Sequence, residues 1–357
     1  MTAPDAPRLT WAAAACAREL LLEASCDACA RACPQGAIAL GIGGPVPDLA
    51  ACTRCGACIA ACPEQVFDLA PPDTDATTAA PARPDMARFA PDHTHPLAKG
   101  PPWLAPIATL GLARLARLWL AGQREIWLAA DIAGAGGAPP VPLAPAVRRA
   151  LKDFNLLATA RGLDPMRLRR ATAAQTEAWL DHARARAAER PASAGRRALF
   201  RMAVAPAPTQ TTPPEPAPGA LARFQALPPG APTAVAPQID AAPCTACDDC
   251  LNICPHAALT MIKAPDGTLV YESDPAACTG CGLCVDICDE GAVSLVAIGQ
   301  QTEPGAAPAA CRVPLAEYTC RGCGVPSHTT APAPPADGLC RICRQTGHYK
   351  KLFVVLD

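Results

Sequence analysis

Cys244-Thr-Ala-Cys247-Asp-Asp-Cys250-Leu-Asn-Ile-Cys254-Pro255, followed by Cys278-Thr-Gly-Cys281-Gly-Leu-Cys284-Val-Asp-Ile-Cys288, is the stretch from which the rest of the chain can be read. Each run separates four thiols by two, two and three residues. The two-residue steps wrap a tight loop around one centre and turn backbone N–H groups inward. The three-residue step enters a short helix that carries the last thiolate to the far side. Toward the N-terminus the spacing recurs in full at Cys52, Cys55, Cys58 and Cys62, with Pro63 next. It recurs one cysteine short at Cys26, Cys29 and Cys33, with Pro34 next. Residues 48–58 (DLAACTRCGAC) align with residues 274–284 (DPAACTGCGLC), so the two cysteine-rich regions are versions of one design. Zinc sites usually present two CxxC pairs with a spacer between them, which a 2-2-3 row does not match.

These runs resemble the bacterial 2[4Fe–4S] ferredoxins and polyferredoxins, in which three cysteines of a run bind one cube and the fourth reaches the other. The resemblance covers residues 10–70 and 244–300 and leaves the middle and the tail unassigned. It implies an α+β chain: two small ferredoxin-like domains separated by a mostly helical middle region, with a small zinc-ribbon-like segment at the C-terminus. The crossed pattern implies one cube on Cys244, Cys247, Cys250 and Cys288, and another on Cys278, Cys281, Cys284 and Cys254. In the N-terminal module it implies one cube on Cys52, Cys55, Cys58 and Cys33. The remaining cube has Cys26, Cys29 and Cys62, because Glu23 stands where regular spacing places a cysteine. Cys16, ten residues before Cys26, completes this set if it folds back. Otherwise the site holds a [3Fe–4S] cluster or takes Glu23 as a ligand, and Cys16 is a buried thiol in the helical pattern of residues 12–22. Asp289 replaces the proline usual after the fourth cysteine, a change expected to affect loop stiffness more than ligation. Short apolar strands are expected after each fourth cysteine, over residues 37–40, 66–69, 258–262 and 292–296. A core this small needs its metal to stay folded.

The tail repeats a different pattern. Cys320-x2-Cys323 and Cys340-x2-Cys343 have the two-knuckle layout of a zinc ribbon, with Gly322 and Gly324 supplying the first turn. A rubredoxin-like single iron uses similar spacing. Cys311, His328 and His348 lie nearby and read as bystanders, since four thiolates already close a tetrahedron. Few aromatics and mixed charge favour a protein partner over nucleic acid for such a ribbon.

Composition sets the frame. The chain has 357 residues, of which 42 are proline and only 4% aromatic, so small domains on Pro/Ala-rich tethers are expected. Its 21 cysteines are an odd number, which fits a paired disulfide framework poorly. Residues 9–22 are apolar but interrupted by Arg18 and Glu19, and residues 103–120 contain Arg114 and Arg117, so neither an export signal nor a membrane span is expected. A reducing, cytoplasmic compartment follows as the expected location. The domains are expected at residues 10–70 (first module), 71–106 (Pro-rich connector), 107–202 (helical, Arg-rich middle), 203–243 (Pro/Ala-rich linker), 244–300 (second module) and 311–357 (ribbon-like tail). The linker, with eleven prolines, is long enough for the modules to move independently. Residues 99–201 carry 17 Lys and Arg against 7 Asp and Glu, so a basic middle lies between acidic ends. Its Arg-rich helices, predicted at residues 147–159 and 167–189, are either solvated faces or a docking surface for acidic redox partners. Residues 125–130 (EIWLAA) read as a possible strand, and Gly134-x-Gly136-Gly137 only faintly imitates a dinucleotide turn, because Pro139 and Pro140 follow at once. His93 and His95 form a lone HxH in the connector.

What the resemblance implies is electron transfer by four [4Fe–4S] clusters, within or to a larger oxidoreductase whose other subunits are the redox partners. No acid–base or nucleophilic constellation appears, so no catalytic site is expected in the chain itself. Two other classes remain open: a scaffold or redox sensor stabilised by clusters and zinc, and an oxidoreductase with a cofactor site in the middle region.

Overall fold

The computed structural model describes residues 7–70, 86–91, 104–130, 143–188, 219–227, 232–298 and 310–347. His93, His95, His348 and the glycines of residues 134–137 lie outside these. The first part of the chain runs β1 (Arg8–Trp11), α1 (Ala17–Leu20), α2 (Ala28–Ala32), β2 (Ile38–Gly41), β3 (Gly44–Pro47), α3 (Ala57–Ala61) and β4 (Phe67–Ala70). The middle runs β5 (Met86–Phe89), α4 (Leu112–Leu120), β6 (Glu125–Leu128), α5 (Pro145–Ala160), β7 (Arg167–Arg170), α6 (Ala173–Ala188) and α7 (Ala220–Gln225). The last part runs β8 (Val235–Ile239), α8 (Asp249–Asn252), β9 (Leu259–Lys263), β10 (Leu269–Ser273), α9 (Leu283–Asp286), β11 (Val293–Ala297), β12 (Arg312–Thr319), β13 (Pro326–Thr329) and α10 (Arg341–Thr346). The strands β2, β4, β9 and β11 each begin one residue after the apolar runs that follow a fourth cysteine.

Two compact units divide the chain. The first comprises Met1–Ala12, Ala28–Ala39 and Val46–Phe224; the second comprises Ala13–Asp27, Leu40–Pro45 and Gln225–Asp357. In the first unit β1 pairs antiparallel with β4, setting Trp11 opposite Phe67. The middle region is mostly helical, as its pattern suggested, but it also carries a sheet. Strands β5, β6 and β7 form a parallel sheet in that order, with Ile126 and Leu128 of central β6 buried. β5 falls inside the supposed connector, and β7 inside the supposed helix at residues 167–189.

The physical reason lies at Thr172. Arginine is a good helix former, so RLRR reads as the start of a helix. However, Thr172 and Gln175 make a reciprocal cap: the Gln175 N–H donates to Thr172 Oγ1 at 3.2 Å, and the Thr172 N–H donates to Gln175 Oε1 at 2.9 Å. The helix therefore starts after the arginines, which are left extended, with Arg169 paired to Glu125 across the sheet at 3.3 Å. Helix α5 supplies the core with Phe154 and Leu157, and Phe224 of α7 closes it 4.7 Å from the Phe154 ring. Each such side chain contributes about 1.5–3 kcal/mol on burial. The presumed linker at residues 203–243 thus contains a core helix, and the strand β8 as well.

The middle region is packed on the cysteine helix α3 rather than spacing it from its neighbours. Gly111, which caps α4, abuts the backbone of Ala60, and Arg117 Nη2 donates to Gln65 Oε1 at 2.8 Å. The stretch at residues 110–120 is amphipathic, with Leu110 and Leu115 buried, while Arg114 is half-buried over the Phe89 ring at 5.4 Å.

In the second unit β13, β12, β10 and β9 form one antiparallel sheet, and β8 pairs with β11. The tail is therefore not a separate appendage: β12 sets Val313 opposite Tyr271 and extends the sheet of the cysteine module. Tyr271, Leu259, Val293, Val313 and Leu315 form the core, with Cys250 and Cys284 on its margin. Residues 13–27, far away in sequence, also belong to this unit. Ala17 and Ala24 pack on Leu283, flanked by Leu21, Cys26, Ile253 and Cys281. The N–H and the hydroxyl of Ser25 donate to the two carboxylate oxygens of Asp286, each at 2.8 Å.

A β-carbon at Gly111 would lie 2.9 Å from Ala60 Cα and collide with the Ala60 carbonyl oxygen. Gly111→Ala is expected to destabilise the protein by about 1–3 kcal/mol, as overpacked contacts do. A fall in the thermal unfolding midpoint measures it.

Candidate metal centres

The loops between cysteines need backbone conformations that most residues avoid. In three runs the residue before the second cysteine and the residue after it are both left-handed: Arg54 and Gly56, Ala246 and Asp248, Gly280 and Gly282. The short helices α3, α8 and α9 then begin and carry the third cysteine inward. The Cys26 run differs. Ser25 and Asp27, which flank Cys26 as the second cysteine of this run, are not left-handed, although Cys29 lies inside α2 as the third cysteine does elsewhere. The run that lacks a cysteine also lacks the loop.

The fourth cysteine of every run is held identically. The residue three positions on is left-handed (Gly36, Gln65, Ala257 and Gly291), and the next N–H points back at the sulfur. Ala37 donates to Cys33 Sγ at 3.3 Å, Val66 to Cys62 at 3.4 Å, Ala258 to Cys254 at 3.2 Å and Ala292 to Cys288 at 3.2 Å. Asp289 in place of proline leaves this geometry unaltered. Hydrogen bonds of this kind stabilise thiolate and tune whatever metal it binds.

Two cavities in the second unit collect the thiols. One, open-mouthed and about 450 Å³, is lined by Cys244, Cys247, Cys250 and Cys288 together with Tyr271, Ile287, Val293 and Arg341. The other, about 340 Å³, is lined by Cys254, Cys278, Cys281 and Cys284 together with His256, Leu283 and Leu295. Each fourth cysteine thus joins the three leading cysteines of the other run. Burial, then the charge of neighbouring sulfurs, pushes the Cys250 thiol up to about 12. Burial likewise carries Cys278 to about 12 and Cys284 to about 11. Four soft donors crowded in a partly buried pocket repel one another as thiolates; a cationic metal centre relieves that repulsion. The residues fit an iron–sulfur cluster, whose chemistry when bound is one-electron exchange.

In the first unit Cys58 is raised to about 12, first by burial and then by Cys55, Cys52 and Cys29 nearby. Cys33 and Cys62 carry their amide bonds as described. Cys16 and Cys26 belong to the second unit. Cys16 precedes the four-residue helix α1 and faces Gly44, where a β-carbon would stand 3.5 Å from its sulfur. Arg18 Nε donates to the Cys26 carbonyl at 2.9 Å, fixing the turn between these two cysteines. The continuous helix expected over residues 12–22 is absent, since a 3-10 turn at Ala13–Ala15 precedes α1.

In the tail, Cys320, Cys323, Cys340 and Cys343 place their sulfurs within 4.8 Å of one another. The amides of Cys340, Cys323 and Gly322 aimed at Cys320 lower its thiol to about 6. Burial raises Cys343. The four donors suit a tetrahedral thiolate site.

His328 and Cys311, read as bystanders, have partners. His328 Nε2 lies 3.0 Å from Asp248 Oδ1 and 2.9 Å from the Tyr271 hydroxyl, which itself donates to Asp248. Cys311 Sγ accepts the Ile239 N–H at 3.3 Å, tying the start of β12 to β8. Nothing in the spacing of the tail points to these contacts; they follow from the sheet that joins it to the module. The parallel sheet of the middle region has its strands in sequential order, without the reversal at which dinucleotides usually bind.

A family profile described as a 4Fe-4S dicluster domain matches residues 243–292, and one described as a 4Fe-4S binding domain matches residues 49–66. No curated protein matches the chain. With the thiol geometry, these matches support an iron–sulfur, metal-binding chain with ferredoxin-like segments and an electron-transfer role. Among the described residues no helix is long and apolar enough to cross a membrane.

The repeated left-handed position offers a test. Gly291→Ala should destabilise by about 1 kcal/mol, the cost of a β-carbon in that conformation. Ala257→Gly, at the equivalent place, should stabilise by less, because the chain entropy of glycine offsets part of the relief. Thermal unfolding of the metal-loaded protein reads both.

Proposed function

We propose that the chain holds four [4Fe–4S] clusters in two ferredoxin-like modules and relays electrons within or to a larger oxidoreductase, with one structural zinc in the tail. The observation that carries this reading is the crossed grouping of eight cysteines around two cavities. The amide-to-sulfur bond repeated at Cys33, Cys62, Cys254 and Cys288 extends it to the N-terminal runs. On this reading Cys16 is the fourth partner of Cys26, Cys29 and Cys62. The chain conducts electrons and transforms no substrate itself. Its partners are redox proteins, other subunits of the oxidoreductase, and not nucleic acid or membrane. Use of the cysteines as metal-binding thiolates suits a cytoplasmic protein.

Metal analysis of anaerobically purified protein, with EPR of the dithionite-reduced sample, tests this. Four cubes require about 16 iron and 16 sulfide per chain, with spin-coupled signals. One zinc should accompany them and disappear in Cys320→Ser. Cys16→Ser should lose one cube or convert it to a three-iron cluster visible in the oxidised protein. Zinc in place of iron after careful reconstitution would overturn the relay and leave a zinc scaffold.

A further inference from the structure

The tail does more than extend a sheet. It grips the loop of residues 244–250, which on the reading above wraps one cube, at three points. Thr330 Oγ1 donates to the Cys244 carbonyl at 2.8 Å, and His328 Nε2 lies 3.0 Å from Asp248. Arg341 Nη1 lies 3.7 Å from Asp249 Oδ2, and its side chain lines the mouth of the cavity. Arg341 is the only cation among the described residues lining that cavity, against the carboxylates of Asp248, Asp249, Asp289 and Glu290.

What holds Arg341 there is the tail's own thiol site. Arg341 opens α10 directly after Cys340, the cap of that helix, and Cys340 Sγ accepts the N–H of Cys343 at 3.4 Å. Two of the four tail sulfurs therefore bracket Arg341. A metal on those sulfurs fixes the start of α10, and with it the cation. Without the metal, the first turn of this six-residue helix keeps only its hydrogen bonds, among them Arg344 to Asp337 and the Cys340 N–H to Cys320 Sγ, and loses the tie between the two sulfurs that bracket Arg341.

We infer that the tail is a metal-latched cap on the cube of the Cys244 loop, and that Arg341 is a positioning and tuning residue which raises the potential of that cube. The reasoning is electrostatic. On reduction the cube gains one electron and one unit of negative charge, with no bond made or broken. A fixed cation close by favours the more negative state, and a half-buried site screens that effect less than open water. The four neighbouring carboxylates act the other way, so the single cation has a large share in the balance. Loss of the tail metal would release it and lower the potential without touching any cube ligand.

This inference rests on the four-cube reading, and the experiment separates the two. Full-length protein is loaded anaerobically, analysed for iron, sulfide and zinc, and titrated with dithionite under EPR. Arg341→Gln should lower the midpoint potential of one cube and leave the other three, at full iron and zinc. Arg341→Lys should restore most of the shift. Arg344→Gln, which breaks an exposed pair with Asp337, should leave all four potentials in place. Cys343→Ser should lose the tail metal and lower the same cube as Arg341→Gln. Unchanged potentials in Arg341→Gln at full metal content would overturn the tuning role. Loss of the tail metal without a shift in that cube would overturn the latch. An unaltered chain that binds no iron would show, before any titration, that the cluster reading itself has failed and takes this inference with it.

Discussion

Four sulfur atoms must meet at one point from a chain that runs past that point in one direction. That convergence governs the structure more than any hydrophobic core does. It forces left-handed backbone at Arg54, Ala246, Asp248, Gln65 and Ala257, where side chains are ordinarily disfavoured, and it does so at equivalent places in successive runs. In the second unit each run also lends its last cysteine to its neighbour, across the short helix that holds its third. The apolar residues then have a modest task. They cover the far side of the loops with short strands and exclude water from the thiols, as the raised Cys58, Cys250 and Cys278 show.

A core of this kind is too thin to stand alone, and each unit supplements it differently. In the first unit a three-stranded parallel sheet with its helices is packed on α3, through contacts close enough that Gly111 has no room for a side chain. In the second unit the supplement is the tail, whose strand β12 is hydrogen-bonded along β10, and residues 13–27, whose alanines cover Leu283. The cation of Arg341 and the His328–Asp248–Tyr271 cluster show that such support reaches the loops that carry the thiols. Support and tuning are thus carried by the same side chains.

The cysteine spacing made the local structure legible, because spacing alone decides which sulfurs can share a centre and where the following strand starts. The strands after Cys33, Cys62, Cys254 and Cys288 lie within a residue of where apolar patterning put them. The middle region was legible in part. Strand β6 stands in the EIWLAA stretch read as a possible strand, and its burial alternates, whereas β5 is a four-residue strand in the supposed connector and edge strand β7 is RLRR, which shows no apolar alternation. The Thr172–Gln175 cap was present in the sequence and would have moved the helix start past the arginines. The contacts of His328, Cys311 and Ser25 had no such signal, since each depends on pairing between segments remote in the chain.

The clasp between Ser25 and Asp286 has a consequence for biosynthesis. Residues 13–27 leave the ribosome long before the helix that receives them has been made, so Ala17, Ala24 and Cys26 wait uncovered while most of the chain is translated. Their proper surface appears only with Leu283 and Asp286. Cys26, which packs beside Leu283, therefore acquires its final setting late, with the emergence of that helix rather than with its own.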